Sequence, residues 1–429
     1  MKNKKVLVLG SGGREHAFAW KLCDDPEVSK VYCMPGNGGT SDIAENVNMD
    51  LGDFPSILSF INDNNIDLTV VGPENPLADG IVDFLSKEGV KVFGPTMYCS
   101  QLESSKIFAR DLMKDCGVPQ PNYIECSTID QVIHAKESFG FPLVLKADGL
   151  AAGKGVIICG DEESFKSALE DMFSEQKFGS ACDRISVEEC IIGEELSIFA
   201  VCSGVDYKIL NTAQDHKRIF DGDKGPNTGG MGAYSPTPLT TKDLMSKVES
   251  RIIVPVLEEL EKNGNPYIGF LYVGIMIVKG DPYVIEFNVR MGDPETQVVI
   301  PLLDSSLYRL LDDCLEGNLN SSNVDISDAN AVTVVLASEG YPGKYDSKQV
   351  ITGMNSDSVV FHAGTKLEDG ILYTNGGRVL NAVGFGTNLK DAIENAYDIA
   401  SKIEYNGKYC RKDIGKKGLN YLERENNDC

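Results

Sequence analysis

Val284-Ile285-Glu286-Phe287-Asn288-Val289-Arg290-Met291-Gly292-Asp293-Pro294-Glu295 is the stretch from which the rest of the chain is best read. Residues 283–287 have the apolar content of a short buried strand, and strand alternation carries Glu286 and Asn288 to one face, two residues apart. A carboxylate beside an amide oxygen makes a hard-oxygen pair of the kind that holds Mg²⁺ against phosphate oxygens. Arg290 continues that face, and its fork can grip a phosphate or a carboxylate with two hydrogen bonds. Gly292-Asp293-Pro294 then turns the chain and adds another carboxylate. An edge strand running into a polar turn is the competing reading, and residues elsewhere must decide.

A chain of 429 residues exceeds one ordinary hydrophobic core and reads as roughly two to four subdomains. Its 42% hydrophobic and 24% charged residues describe a folded, soluble protein. Forty Lys and Arg against 64 Asp and Glu leave a formal charge of −24, which argues against a nucleic-acid surface. Small anions remain possible, gripped by local cations and backbone N–H groups. The 12 cysteines are scattered singly, with no C-x-x-C pair and apart from the 4 histidines, so zinc is not expected. Cys159 and Cys202 lie in apolar strand-like runs and read as small core residues. The apolar run behind Met1-Lys2-Asn3-Lys4-Lys5 spans only residues 6–9, a strand and not a signal peptide, and no stretch approaches membrane-spanning length. The expected setting is a reduced cytoplasm, with no membrane partner.

Up to about residue 100, apolar runs at 6–9, 31–33, 68–71 and 92–93 alternate with helix-length segments near 14–24, 53–64 and 76–88, as in a parallel α/β unit. Gly10-Ser11-Gly12-Gly13-Arg14-Glu15 follows the first run, where a phosphate-binding turn sits above a helix N-terminus. A dinucleotide fingerprint needs Gly or Ala where Glu15 stands, so nicotinamide binding is the weaker reading. Pro35-Gly36-Asn37-Gly38-Gly39-Thr40 and Gly72-Pro73-Glu74-Asn75-Pro76 leave later strands at the same edge, where open parallel sheets bind ligands. A helix over 104–116, the boundary Gly117-Val118-Pro119-Gln120-Pro121, a helix near 161–173 and a long helix near 241–263 follow. A buried strand at 331–337 opens a last section that reads as a separate α/β or β-rich lobe. Internal repeats and low-complexity linkers are lacking.

Residues 141–146 read as a strand feeding Ala147-Asp148-Gly149-Leu150-Ala151-Ala152-Gly153-Lys154-Gly155-Val156. Glycine there lets backbone N–H groups fold over phosphates, with Lys154 and Lys146 adding point charges. This is no P-loop, because Gly155 stands where Ser or Thr must follow the lysine. A glycine loop between two strands suggests a lid; an ordinary mobile hairpin would account for the glycines but poorly for the two lysines. Residues 185–187 read as a strand entering Glu188-Glu189-Cys190-Ile191-Ile192-Gly193-Glu194-Glu195. An extended hinge there could read an adenine edge, and a carboxylate just beyond could accept ribose hydroxyls. A solvated acidic turn is the alternative.

Lys106, Lys146, the 147–156 loop, the 188–195 hinge and Glu286 with Asn288 fall in the order and spacing of ATP-grasp ligases. From Val6-Leu7-Val8-Leu9-Gly10-Ser11-Gly12-Gly13-Arg14-Glu15-His16 to Cys410-Arg411-Lys412-Asp413-Ile414-Gly415, the chain resembles the phosphoribosylamine–glycine ligase (glycinamide ribonucleotide synthetase) family. Residues 146–156, Gln214-Asp215-His216-Lys217-Arg218, Gly225-Pro226-Asn227-Thr228-Gly229-Gly230-Met231-Gly232-Ala233-Tyr234 and Arg290-Met291-Gly292-Asp293-Pro294-Glu295-Thr296-Gln297 carry the likeness.

The resemblance implies an α/β fold: an N-terminal α/β domain over 1–103, an ATP-grasp domain over 104–325 with a mobile lid at about 120–195, and a C-terminal domain over 326–429. It implies a monomeric ATP-dependent carbon–nitrogen ligase of de novo purine biosynthesis, joining glycine to 5-phosphoribosylamine through glycyl phosphate. Mg²⁺ or Mn²⁺ would be the cofactor, ATP a substrate, and no transformylase or cyclase domain is expected to be fused. ATP would be held by Lys106, Lys146, Gly153, Lys154, Gly155, Glu188, Glu189, Ile191 and Glu195, and the metal by Glu286 and Asn288. Phosphoribosylamine would take Gly12, Gly13, Arg14, Glu15, Gly36, Asn37, Pro73 and Glu74. Arg290, Lys217 and Arg218 would neutralise the transferring phosphoryl group, with Asp215 and Asp293 for the glycine ammonium; His216 stays outside this set. Many ATP-grasp enzymes carry a second acidic metal ligand on the preceding strand, but residues 274–278 have none, so protein ligation of the metal should be thin. The rivals are a formate-using or carboxylating ATP-grasp enzyme, opposed by the D-H-K-R and N-T-G-G-M-G blocks, and a non-enzymatic nucleotide-binding regulator, opposed by the metal pair together with Arg290.

Overall fold

The structure, a computed structural model, describes residues 2–150, 155–174 and 184–428. The four apolar runs of the first hundred residues become β1 (Lys4–Gly10), β2 (Val28–Pro35), β4 (Leu68–Val71) and β5 (Val92–Phe93), joined by the short β3 (Glu45–Asn46). All pair in parallel, in the order β3-β2-β1-β4-β5. Strand order reverses at β1, so the loops after β1 and β4 open into one crevice, the usual ligand position of such a sheet. Both faces of β1 are covered, which is why residues 6–9 are apolar throughout. Leu7 and Leu9 pack with Leu196, Leu271 and Val273 on one side; Val6 and Val8 share a core with Phe270, Val298 and Leu310 on the other. The N-terminal unit is thereby fused to the central one through two cores.

The helix expected over 104–116 spans Lys106–Asp115 and is preceded by another. Met97–Ser104 and Lys106–Asp115 are separate helices, because Ser105 is extended and its hydroxyl accepts from Phe108 N, capping the second. Next come β6 (Tyr123–Cys126), β7 (Leu143–Ala147), β8 (Val156–Cys159) and β9 (Ile185–Glu189), an antiparallel sheet ordered β6-β9-β7-β8. Helices Ile129–Phe139 and Glu162–Leu169 cover it with a small core of its own around Val132, Leu145, Phe165 and Val187.

The chain continues through β10 (Glu194–Ser203), β11 (Asp206–Asp215), the hairpin β12–β13 (Arg218–Phe220, Lys224–Asn227), β14 (Gly232–Ser235), β15 (Ile268–Val278) and β16 (Asp281–Asn288). It ends with β17 (Asn330–Ser338), β18 (Val359–His362), the hairpin β19–β20 (Thr365–Glu368, Ile371–Thr374), β21 (Arg378–Gly386) and β22 (Lys408–Tyr409). β14 pairs with β11 on one side and β17 on the other, so one sheet runs β16-β15-β10-β11-β14-β17-β21-β18. The last section is therefore hydrogen-bonded into the central sheet through β14. Its bridge is a four-residue strand with no visible alternation; Gly232 belongs there because a Cβ would come 2.6 Å from Thr333 O. Among the described residues, no helix is long and apolar enough to cross a membrane.

Candidate active site

β16 is an edge strand paired antiparallel with β15, and the register slips there: Gly274 faces Glu286, whereas Ile275 faces Val284. Ile285 is the extra, bulged residue, and its carbonyl accepts from Lys146 Nζ at 2.8 Å and Arg110 Nη2 at 3.0 Å. Glu286 and Asn288 both line the adjoining cleft. The residues opposite them on β15, Gly274 and Tyr272, bring no carboxylate. Among the described residues, no three His, Cys, Asp or Glu gather as a metal cage. One carboxylate and one amide oxygen fit a hard cation carried mostly by phosphates.

The cleft holds about 550 Å³ between the small sheet, β15–β16 and the N-terminal unit. At one end Val144, Ile158, Met276 and Ile285 form apolar walls beside the hinge residues Glu189, Cys190 and Ile191. A flat apolar ring with its polar edge toward main chain suits that slot. Lys146 and Gly155 line it, as does Lys106, whose Nζ donates to Glu103 O at 2.9 Å. Gly153 and Lys154, with the rest of 151–154, lie outside the described residues. The Glu188 carboxylate, 1% exposed, is turned inward. It accepts from Arg110 Nε at 2.9 Å and Nη2 at 2.7 Å, and pairs with Lys146 Nζ at 3.0 Å. Burial works to raise Glu188, but Lys146 and Arg110 outweigh it and hold the carboxyl at about 2. Burial brings Lys146 down to about 8 against the pull of Glu188.

Midway along the cleft, Lys217 Nζ lies 2.5 Å from Glu195, 3.7 Å from Glu286 and 3.9 Å from Asp215. Glu195, expected among the ATP-binding residues, thus pairs with Lys217 here. Burial raises Asp215 to about 6, with Lys217 opposing. Burial, then the charge of Asp215, raises Glu295 to about 8. These two buried acids both line the cleft. Glu295 escaped the sequence reading although it stands two residues beyond Asp293. Arg290 Nε lies 3.1 Å from Glu74 and Nη2 2.5 Å from Glu103, a second unanticipated acid, which also accepts from Val289 N at 2.8 Å.

The far end is built by three parts of the chain. Arg14 reaches the cleft from the N-terminal unit, its Nη1 3.2 Å from Met291 O and 3.8 Å from Glu74, which also lines the cleft. Behind it, Glu15 accepts from Gly12 N at 2.6 Å and Arg14 Nε at 2.5 Å, and a Cβ at Gly10 or Gly72 would clash with it. A carboxylate therefore fills the space where a diphosphate would approach the helix N-terminus, the physical reason the dinucleotide reading fails. Asn37 donates to Ser11 O and His362 O, and accepts from Gly39 N and Thr40 N. Gly12, Gly13, Glu15, Gly36, Asn37 and Pro73 do not line the cleft; they stand behind Arg14 and Glu74.

Arg378 and Lys417 add two cations that the sequence reading missed. Arg378 donates to Gly229 O at 2.6 Å and Asp293 O at 2.5 Å; Lys417 pairs with Asp223 at 2.6 Å. Asp293 lines the cleft and accepts from Gln297 Nε2 at 2.8 Å. Arg218 lines it from the β12 hairpin, donating to Gly225 O at 2.7 Å. His216 points elsewhere, fully buried, both ring nitrogens without a partner, and burial lowers it to about 3.

Family models for phosphoribosylglycinamide synthetase match the chain in three parts: the N domain over 4–103, the ATP-grasp (A) domain over 104–296 and the C domain over 331–417. A phosphoribosylamine–glycine ligase from Ralstonia nicotianae is 45% identical over 419 residues, 97% of this chain and 99% of its own. The crystal structure of the Thermotoga maritima phosphoribosylamine–glycine ligase superimposes with a TM-score of 0.85 at 35% identity, over 95% of this chain and 99% of that one. A biotin carboxylase from Campylobacter jejuni shares the fold, with a TM-score of 0.71 at 16% identity over 95% of this chain and 93% of that one.

Proposed function

Because the chain belongs to the phosphoribosylglycinamide synthetase family, and so is an ATP-dependent ligase joining glycine to 5-phosphoribosylamine in purine biosynthesis, we propose how its cleft does this work. Adenine takes the apolar slot beside Glu189–Ile191, and Lys106 and Lys146 face the phosphates, with Lys154 and the 153–155 backbone as further holders. Glu286 and Asn288 hold Mg²⁺ or Mn²⁺, which when bound supplies charge neutralisation on the phosphate oxygens. Glycine sits with its ammonium toward Asp215 and Glu295, with Asp293 close by. Phosphoribosylamine enters from the end lined by Arg14 and Glu74, its 5-phosphate toward Arg378 and Lys417.

A glycine carboxylate oxygen attacks the γ-phosphorus of ATP, the bond to the β-phosphate oxygen breaks, and ADP leaves. Glycyl phosphate then meets the amine of phosphoribosylamine, which attacks the carbonyl carbon. Phosphate departs, and the amine gives up a proton as the amide forms. Arg290 and Lys217 lie on opposite sides of this path and neutralise the transferring group, with Arg218 at the rim; the protein's contribution is positioning and charge. The observation carrying this reading is the place of Arg290, fixed between Glu74 and Glu103 where the nucleotide end meets the N-terminal loops. The same reading has a monomer working in the cytoplasm, in keeping with the described cysteines, all free thiols.

Glycine labelled with ¹⁸O in its carboxylate tests the route. One label should appear in the released phosphate, and ADP release should require glycine, phosphoribosylamine and Mg·ATP together. Amide product with unlabelled phosphate would overturn glycyl phosphate, and full activity with formate in place of glycine would overturn the glycine site.

A further inference from the structure

The nucleotide end of the cleft is held by a residue that does not itself line it. Arg110 is 2% exposed, on the same face of helix Lys106–Asp115 as Lys106, one turn further on. Its guanidinium makes five hydrogen bonds to two layers of the fold. Two go to Glu188 on β9; Nη1 and Nη2 donate at 3.0 Å to Val284 O and Ile285 O on β16; and Nη1 reaches Gln120 Oε1 at 3.3 Å. Glu188 is also the partner of Lys146, and Lys146 in turn donates to Ile285 O. Ile285 is the bulged residue just before Glu286, and Val284 precedes it.

From this closed circuit we propose that Arg110 is a positioning residue for Mg·ATP, acting through Glu188 on Lys146 and through the Val284 and Ile285 carbonyls on Glu286. The proposal rests on the nucleotide reading of the cleft. The geometry needs an arginine: its planar fork satisfies a carboxylate edge and two carbonyls at once, whereas one lysine ammonium offers three donors from a single point. The bulge also requires it. The Ile285 carbonyl, pushed out of the β15–β16 ladder inside the protein, needs donors, and Arg110 and Lys146 supply them. Glu188 therefore serves as the acceptor that sets Lys146 at the phosphates, and not as a nucleotide ligand.

Arg110→Lys is the first test, with calorimetric titration of ADP, with and without Mg²⁺, beside steady-state kinetics. We expect a folded enzyme whose KM for Mg·ATP and Kd for Mg·ADP rise about tenfold, the scale of a lost charged hydrogen bond. The KM values for glycine and phosphoribosylamine should stay unchanged, and the loss for Mg·ADP should exceed that for metal-free ADP. If that variant does not fold, Arg110→Gln keeps Glu188 paired with Lys146 and should show the same selective loss. A lower melting temperature with unchanged Mg·ATP and Mg·ADP constants overturns the proposal and leaves Arg110 a structural residue. Absence of ADP binding to the unaltered enzyme would instead overturn the nucleotide reading beneath it.

Discussion

Acid should unfold this protein through its histidines before its carboxylates, and His362→Gln should show it. His362 is 5% exposed where the helix from Gly13 meets the C-terminal strands; its backbone N–H donates to His16 Nδ1 at 2.8 Å, and the two rings lie 5.4 Å apart. Burial lowers His362 to about 4 and, with the neighbouring His362, lowers His16 to about 3; burial, then Lys417 and Arg411, lowers His216 to about 3. Three of the four histidines are thus neutral when folded, while an unfolded chain titrates them near 6.5. Below about pH 6.5 the unfolded chain binds the extra protons, so stability falls as pH falls, until the folded values are passed. Each histidine contributes a slope approaching about 1.4 kcal/mol per pH unit toward pH 5, and the three together about 4 kcal/mol per unit. His362→Gln keeps a hydrogen-bonding side chain and should remove about a third of that slope, whatever the lost packing does to absolute stability. Glu74 and Glu188, held near 2, steepen the decline only below the ordinary carboxylate range of about 4.3. Asp215 and Glu295, raised to about 6 and 8, titrate with the opposite sign in this range, so the histidine share is read as the difference in slope between variant and unaltered protein in urea unfolding at steps between pH 5 and 6.5. An unchanged slope in the variant would refute the reasoning.

At the active site, Glu286→Gln should lower turnover about hundredfold, near 2.7 kcal/mol of transition-state stabilisation, while leaving the melting temperature unaltered. Near-normal turnover at ordinary Mg²⁺ would remove Glu286 from the metal. Arg14→Ala should raise the KM for phosphoribosylamine about tenfold and leave that for ATP alone; the reverse pattern would move the nucleotide to the N-terminal loops.

The sequence made periodic elements and chemical types legible. Strand alternation placed Glu286 and Asn288 together, and Arg290, Lys217, Arg218, Asp215 and Asp293 all line the one cleft. Partner choice was not legible, because a charged side chain's partner is set by packing between residues far apart in the chain. Glu188 and Glu15 read as ligand-facing acids, yet each spends its carboxylate on the fold: Glu188 on Arg110 and Lys146, Glu15 on Gly12 N and Arg14. Arg110 reads as an ordinary helix arginine until Glu188, 78 residues on, is seen against it. Arg378 and Lys417 carry no local signal; only β14, joining the last strands to the rest, brings that part of the chain to the cleft.

That bridging strand bears on how the protein comes apart. Cutting the chain after residue 326 would strip β14 of β17, exposing a bare hydrogen-bonding edge beside Met231 and Tyr234, which share a core with Val332, Leu336 and Leu380. Such an edge recruits strands from other chains. The C-terminal quarter is thus no detachable module: truncation should yield aggregates, not a smaller enzyme. Unfolding should likewise carry β11, β14 and β17 together, so amides from Asn330–Ser338 should exchange with solvent in the same slow step as those of Asp206–Asp215.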